Sequence, residues 1–257
     1  MAASAPPRIF DPDRRRTIAA RARRRSTRPG AADYLIRDMV EDAIERLDFM
    51  REEPRHALLI GDSDGHLRDH LEAGGTDVVS AHISEFDEAR PWPFADFDLV
   101  VALGGLDTVN DLPGALIHLR AALAPGGLAI AAMPAAGSLT KLRAILQAAD
   151  GDRPAARMHP MVDVRAGAQL LQRAGFADPV ADSHSVNVRY SSLASLVDDL
   201  RDMGLSSALA DRGPPFSRDT LQRAQEAFAA AADADGKLAE TFEILTLSGR
   251  RPVRQAL

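Results

Sequence analysis

The segment from Phe97 to Met133 constrains the fold of this chain more than any other part of the sequence. It contains an apolar run, FDLVVAL, a polar loop, a helical stretch from Pro113 to Leu123, a Pro-Gly-Gly turn and a second apolar run, GLAIAAM. Short continuous apolar runs indicate strands that are buried on both faces. Because strands joined through a helix pair in parallel, the segment predicts one unit of a parallel α/β sheet.

The same alternation extends on both sides of this unit. The periodicity predicts a helix that begins at Tyr34 and ends before Pro54, strands in HALLIG and TDVVSAHI, and a helix in GHLRDHLEAGG between those strands. Two helices, a polar strand in PVADSHSVNVRY, two more helices and a closing strand in TFEILTLSG follow Met133. We predict an α/β fold: a Rossmann-like, mostly parallel sheet with helices on both faces, an N-terminal helical extension and a C-terminal helical lid inserted before the last strand.

The predicted organisation has two parts. A chain of 257 residues is long enough for one large α/β domain with a helical appendage. We predict a basic arm and helix over residues 1–54 and the main domain over residues 55–257, with the helical lid at about 191–236.

The composition excludes several classes of protein. Cysteine is absent, which excludes disulfides and thiolate chemistry and is typical of the reducing cytoplasm. No apolar run approaches the roughly 20 residues of a membrane-spanning helix. The net charge of -6 argues against a nucleic-acid partner, because binding phosphates requires a basic surface. We expect a cytoplasmic protein without a transmembrane segment. Lysine occurs only at Lys141 and Lys237, which favours a GC-rich bacterial source.

An arginine-rich segment departs from the acidic average. Between Arg8 and Arg28 the chain has nine arginines and two acids, Asp11 and Asp13. Such a segment either docks on an acidic protein, RNA or an anionic membrane, or forms a solvated helix. Ile18 is its only large apolar residue, so it has no strong amphipathic face. We favour the solvated helix.

Several strings, in this order, resemble the class I S-adenosylmethionine-dependent methyltransferases: FDLVVALGGL, ALAPGGLAIAAM and QLLQRAGFADPVADS. VNDLPGALIHLRAAL, GSLTKLRAILQAAD, VRYSSLASLVDDLRDMG and TFEILTLSGR resemble the BioC-like subgroup more narrowly. That subgroup includes the malonyl-carrier-protein methyltransferase of the biotin pathway. With IFDPDRRR near the N-terminus, the strings most resemble the branch of respiratory complex I assembly factors, which are thought to hydroxylate an arginine.

The resemblance implies S-adenosylmethionine as the cofactor. In the family, a glycine-rich turn after the first strand lets the backbone approach the methionine and the ribose, and acids after the next strands bind the ribose hydroxyls and face the adenine. His82 stands at the ribose position, and Asp87 or Glu88 at the adenine position. The cofactor-binding residues that the resemblance implies are Gly61, Ser63, Gly65, His82, Asp87, Glu88 and Leu103.

This chain departs from the family pattern at the cofactor end. Leu59 stands where the family has an acid before the turn, Ser63 replaces a glycine, and His82 replaces the ribose-binding acid. Only ten residues separate His82 from Pro93, too few for the helix and strand that the family has there. The departures predict a degenerate cofactor motif. They leave open an active methyltransferase and a non-catalytic pseudoenzyme.

Three further positions concern the substrate. Asp107 follows the third strand and is either a catalytic general base or the cap of the next helix. His159 resembles a substrate-side position of the assembly-factor branch, and Tyr190 stands near the predicted lid, so we expect both residues in the substrate pocket. His66 and His70 stand four residues apart on one predicted helix, but no third ligand stands at a characteristic spacing, so we predict no metal site.

The functional prediction is an S-adenosylmethionine-dependent methyltransferase-like protein with a degenerate cofactor site. The alternative is a non-catalytic or arginine-hydroxylating assembly factor. In that alternative the partner is a protein such as a respiratory complex I subunit, and the basic arm and the helical lid serve as the binding module.

Overall fold

The computed structural model describes residues 8–82 and 85–253. A short 3₁₀ helix, Leu106–Thr108, follows the third strand. The helices and strands are, in chain order, α1 (Pro12–Ser26), α2 (Tyr34–Met50), β1 (His56–Ile60), α3 (His66–Ala73), β2 (Asp77–Ala81), β3 (Phe97–Leu103), α4 (Leu112–Ala122), β4 (Leu123–Pro134), α5 (Thr140–Asp150), α6 (Val164–Arg173), β5 (Ala177–Tyr190), α7 (Leu193–Asp202), α8 (Arg218–Ala231) and β6 (Leu238–Arg250).

The strands form one six-stranded sheet in the order β2-β1-β3-β4-β6-β5. Strand β1 pairs in parallel with β2 and β3, and β3 pairs in parallel with β4, whereas β6 runs antiparallel to both β4 and β5. The predicted α/β fold with a mostly parallel sheet is therefore confirmed. The described residues between β2 and β3 form no helix or strand, as the short spacing predicts. The predicted second strand extends to Ile83, which lies outside the described residues.

Alternate residues of the central strands pack into two separate cores. In β1, Ala57 and Leu59 face one core, and Leu58 and Ile60 face the other. This alternation follows from the period of two along a strand. Residues of α2, α3, α5, α7 and α8 pack on the first face, and residues of α4 and α6 pack on the second. The predicted helices on both faces are thus present.

Strand β4 begins earlier than the sequence predicts. It starts at Leu123, and the Pro-Gly-Gly stretch interrupts its register: Phe97 pairs with Leu123, but Leu99 pairs with Leu128. A Cβ on Gly127 would lie 2.8 Å from the carbonyl oxygen of Phe97. The predicted turn is therefore an irregularity within a strand, because glycine lets the two backbones approach closely.

The N-terminal helices differ in their packing. Helix α1 has no buried residue, whereas α2 places buried side chains such as Met39 and Leu47 in the same core as the sheet. The domain division at residue 54 stays a prediction, and α2 shares its core with the main domain. In the predicted lid, α7 packs near α1, whereas α8 buries Ala224 and Phe228 in the core beside α5. No helix within the described residues is long and apolar enough to cross a bilayer.

Candidate active site

A cavity of about 550 Å³ lies at the carboxyl ends of β1, β2 and β3, and α1 covers it. Nine of the ten residues predicted to form the site line this cavity; they are Gly61, Ser63, Gly65, His82, Asp87, Glu88, Leu103, Asp107 and His159. Tyr190 does not line it. The topology explains the place of the cavity, since ligands of open α/β sheets bind beyond the carboxyl ends of the strands, where the strand order reverses.

The turn after β1 contains two glycines with different constraints. Gly61 has a φ of +92°, and a Cβ there would lie 2.1 Å from the carbonyl oxygen of Leu103. Gly65 has a φ of +78°, and a Cβ there would meet nothing within 4 Å. Gly61 is therefore required by the close approach of the turn to the end of β3, whereas Gly65 leaves open space.

Two carboxylates lie in the loop just before α3. Asp62 accepts hydrogen bonds from the backbone N–H of Leu67 and Arg68, and Asp64 accepts one from that of His66. Burial raises the pKa of Asp62, although those two backbone N–H groups act in the opposite direction. The amide donors at this helix end already have partners within the chain. This end of the cavity therefore suits a cationic group of a ligand better than a carboxylate.

His82 and Asp87 lie on the next stretch of the cavity wall. Burial lowers the pKa of His82, and the nearby Arg23 lowers it further. The neutral imidazole is thus favoured at the position where the family has a ribose-binding acid. Asp87 accepts a hydrogen bond from the backbone N–H of Ala89, at 3.1 Å, within its own loop.

Asp107 and His159 form a buried pair in the cavity wall. Oδ2 of Asp107 lies 3.7 Å from Nε2 of His159, and both residues are less than one-tenth exposed. Asp111, and not Asp107, caps the helix that follows, because it accepts a hydrogen bond from the backbone N–H of Gly114 at 2.9 Å. Asp107 lines the cavity and remains the candidate general base.

The other nitrogen of His159 lacks a partner. Among the described residues, no group makes a hydrogen bond to the buried Nδ1 atom. The ring of Phe10 contacts His159 edge-on, with the centroids 5.5 Å apart, and Asn110 fixes the backbone of Phe10 through hydrogen bonds at 2.8 and 3.0 Å. Phe10 lies within the IFDPDRRR string and Asn110 within VNDLPGALIHLRAAL, but neither string indicated a contact with His159.

Tyr190, predicted for the substrate pocket because it stands near the lid, lies in the core. Its hydroxyl contacts that of Tyr34, and burial raises its pKa to about 12. The reason is its position at the end of β5, where the side chain packs beneath α2 rather than toward α1. Likewise, His66 and His70 do not line the cavity. The described residues contain no cluster of three histidines or acids that would hold a metal ion.

Helix α1 is fastened over the cavity at both ends. At its start, the backbone N–H of Asp11 donates to the carbonyl oxygen of Ala208 at 2.9 Å. At its end, Arg25 and Arg28 both bind the buried carboxylate of Asp202, at 2.5 and 2.7 Å. The face of α1 that includes Ile18 lines the cavity. The arm is thus largely exposed, as predicted for a solvated helix, but it is part of the site rather than free.

The residues present allow a test of the implied cofactor. The volume of the cavity lies within the range of about 300–1,000 Å³ that small-molecule sites occupy. The carboxylates of Asp62 and Asp64 suit the cationic end of S-adenosylmethionine, and the loop with Glu88 lines the other end of the cavity. The chain therefore fits the cofactor in place, size and charge, although Arg15 covers Glu88.

The fold and the cleft are those of a Rossmann-like α/β protein with a candidate ligand site at the carboxyl ends of its parallel strands. The methyltransferase domain family matches residues 28–179, and the chain belongs to this family, with the class I S-adenosylmethionine-dependent architecture. The resemblance seen in the sequence is thus confirmed.

Relatives support the same conclusion. The chain is 30% identical over 249 residues to "Arginine-hydroxylase NDUFAF5, mitochondrial" of Rattus norvegicus, covering 88% of this chain and 72% of the relative. It is 29% identical over 268 residues to "Malonyl-[acyl-carrier protein] O-methyltransferase" of Halorhodospira halophila, covering 92% of this chain and 89% of the relative. The solved structure of the YcgJ protein of Bacillus subtilis matches with a TM-score of 0.50 at 10% identity, over 85% of this chain and 100% of that one, which shows the shared fold.

Proposed function

We propose that the cavity beneath α1 binds S-adenosylmethionine and that the chain is an enzyme acting there on a group presented to Asp107. The observation that carries the proposal is that the glycine turn and the Asp107–His159 pair line one cavity. When bound, S-adenosylmethionine supplies a methyl group activated by its sulfonium. The chain's own residues bind the ligand, exclude water and handle the proton of the substrate.

The proposed binding residues divide along the cavity. The turn with Gly61, Ser63 and Gly65 holds the methionine end, where the carboxylates at the start of α3 stabilise positive charge. The loop after β2 holds the adenosine end, where acidic and imidazole groups accept hydrogen bonds from a nucleoside. Within that loop, His82, Asp87 and Glu88 are the proposed contacts, and Leu103 at the end of β3 packs against the ligand.

Asp107 is the proposed general base. Its carboxylate lies 3.7 Å from Nε2 of His159, which is longer than a hydrogen bond, so we propose that the two groups close on each other when a substrate binds. The buried Nδ1 of His159 has no partner among the described residues, so the imidazole can shift without breaking a hydrogen bond there. Positioned proton transfer of this kind contributes about 10²- to 10⁴-fold to a rate.

A second candidate function has its own support. We propose, as the alternative, an arginine-hydroxylating or non-catalytic assembly factor whose partner is a protein such as a respiratory complex I subunit. The similarity over 88% of the chain to a relative named as an arginine hydroxylase favours it. In the non-catalytic form the chain is a pseudoenzyme. We further propose that the protein works in the cytoplasm, which the absence of cysteine supports, and that its source is bacterial, which the low lysine content supports.

A turnover assay tests the proposed enzyme. Purified protein is incubated in air with S-adenosylmethionine and either malonyl-acyl carrier protein or a complex I subunit that contains arginine. Parallel reactions contain an added electron donor, because adding one oxygen atom to arginine consumes dioxygen and two electrons and releases water. The release of S-adenosylhomocysteine is measured, and mass spectrometry distinguishes an added methyl group from an added oxygen. We expect turnover that Asp107→Asn abolishes and Asp96→Asn preserves, since Asp96 is exposed and does not line the cavity. An added oxygen would favour the hydroxylating alternative, and no product with either acceptor would favour the non-catalytic one.

A further inference from the structure

Glu88 is almost completely covered by Arg15. Nη1 and Nη2 of Arg15 lie 3.1 and 3.0 Å from the two carboxylate oxygens of Glu88. The Glu88 side chain is 4% exposed and that of Arg15 is 14% exposed. The pair is bidentate and lies in the wall of the cavity rather than on the outer surface.

Arg15 also reaches the turn after β3. Its Nη2 donates to the carbonyl oxygen of Gly105 at 2.9 Å, and its Nε donates to Oγ1 of Thr108 at 3.0 Å. A guanidinium has five N–H donors in a fixed fork, so these contacts use most of its capacity. Arg15 therefore joins three separate parts of the fold: α1, the loop that carries Glu88 and the end of β3.

The position of Arg15 conflicts with nucleoside binding through Glu88. A ligand that donates a hydrogen bond to Glu88 has to reach a carboxylate whose two oxygens are already engaged. The neighbouring arginines of α1 do not compete for this carboxylate: Arg16 pairs with Asp13, and Arg23 pairs with Glu85. Arg15 thus engages both oxygens of Glu88 at this part of the cavity wall.

We propose that Arg15 competes with the adenosine end of an S-adenosyl ligand for Glu88. The inference rests on the proposed function and deepens it. Binding of the ligand displaces the guanidinium and loosens α1, so the docking of α1 and the binding of the ligand oppose each other. Because such coupling is reciprocal, any partner that draws α1 away also tightens ligand binding.

A double-mutant cycle tests the competition. S-Adenosylhomocysteine is titrated calorimetrically into the wild type, Arg15→Met, Glu88→Gln and the double variant. Methionine retains an apolar stem at position 15 and removes the charge. We expect Arg15→Met to tighten binding about tenfold, within the usual range of coupling between sites, and to give no tightening in the Glu88→Gln background. Arg24→Ala is the matched control, because Arg24 is an exposed arginine of α1 that does not line the cavity.

The outcomes distinguish failure of this inference from failure of the proposed function. If Arg15→Met weakens binding, or tightens it equally in both backgrounds, Arg15 does not compete for Glu88 and this inference is overturned while the proposed function stands. If neither the wild type nor any variant binds S-adenosylhomocysteine, the proposed function itself fails. If a variant unfolds, hydrogen exchange on the wild type still tests the inference. The ligand should speed exchange of the α1 amides, and slower exchange would overturn the inference.

Discussion

The carboxylate of Asp107 lies 3.7 Å from Nε2 of His159, and both side chains are buried in the wall of one cavity. They come from distant parts of the chain. Asp107 lies in the 3₁₀ turn after β3, and His159 lies in the loop between α5 and α6. The glycine turn after β1 lines the same cavity, so the proposed ligand site and the Asp107–His159 pair lie at one edge of the sheet.

His159→Gln should lower turnover strongly with little loss of ligand binding. The amide side chain cannot replace an imidazole that orients Asp107, and general acid-base catalysis is worth about 10²-fold or more. Turnover is followed by the release of S-adenosylhomocysteine, and binding by calorimetry. The control is His66→Gln, on an exposed position of α3 outside the cavity. Equal turnover by His159→Gln and the control would contradict the assigned role.

Gly114→Ala should destabilise the protein although alanine favours helices. A Cβ on Gly114 would lie 2.4 Å from Oδ2 of Asp111, whose carboxylate caps α4. Losing such a cap costs about 1 kcal/mol, which offsets the roughly 1 kcal/mol gain in helix propensity, and the steric conflict adds to the loss. Urea unfolding measures the change.

The double variant with Asp111→Ala is the control for this effect. Once the cap is absent, Gly114→Ala no longer meets a carboxylate, and the substitution should stabilise α4 in that background. If Gly114→Ala were stabilising in the presence of Asp111, the capping contact would not contribute to the stability of α4.

Gly61→Ala should destabilise the protein more than Gly75→Ala. Both glycines have a left-handed backbone, with φ of +92° and +88°. A Cβ on Gly61 would lie 2.1 Å from the carbonyl oxygen of Leu103, whereas one on Gly75 would meet nothing within 4 Å. The control should lose about 1–2 kcal/mol from the backbone conformation alone, and Gly61→Ala clearly more. Equal losses in thermal unfolding would show that the turn does not press against β3.

The stability contributed by Asp150 should depend on pH. Hydrogen bonds from Arg157 hold the pKa of Asp150 below its ordinary value of 3.8. A carboxyl with a lowered pKa in the folded state stabilises the fold above its unfolded pKa, and this contribution is lost as the pH falls through the folded-state pKa. Asp150→Asn should therefore lower the free energy of unfolding at neutral pH, and the difference should shrink below about pH 4.

Urea unfolding between neutral and acidic pH checks this dependence. The control is Asp152→Asn, since Asp152 is an exposed carboxyl two residues further on, in the loop that follows α5. A difference between Asp150→Asn and the wild type that stayed constant into the acidic range would exclude the ion pair as its source.

The sheet could be predicted from sequence because its signals are local. Apolar runs such as Phe97–Leu103 are buried on both faces, and that burial appears directly in the residue pattern. The cofactor end of the site was also predictable, since the glycine turn and the residues after β2 follow strands whose carboxyl ends meet. The register break in β4 was not, because a Pro-Gly-Gly stretch also forms ordinary turns.

A local sequence pattern could not predict that α1 covers the cavity or which residues near the lid line it. Helix α1 contains a single large apolar residue, Ile18, and is held instead by long-range polar contacts, such as those of Arg25 with Asp202. Tyr190, predicted for the pocket because it stands near the lid in the sequence, lies in the core, since nearness in sequence does not tell which way a side chain faces. Likewise, the sequence could not tell whether Asp107 or Asp111 caps α4, and the hydrogen bond from Gly114 identifies Asp111.

The most direct test of the central claim is a calorimetric titration of the wild-type protein with S-adenosylhomocysteine, beside Ser63→Trp and Glu72→Trp. Ser63 lines the cavity, whereas Glu72 is exposed on α3 and does not. We predict micromolar binding at one site in the wild type and in Glu72→Trp, and its loss in Ser63→Trp. Absence of binding in the wild type, or equal binding by all three proteins, would contradict a cofactor site beneath α1.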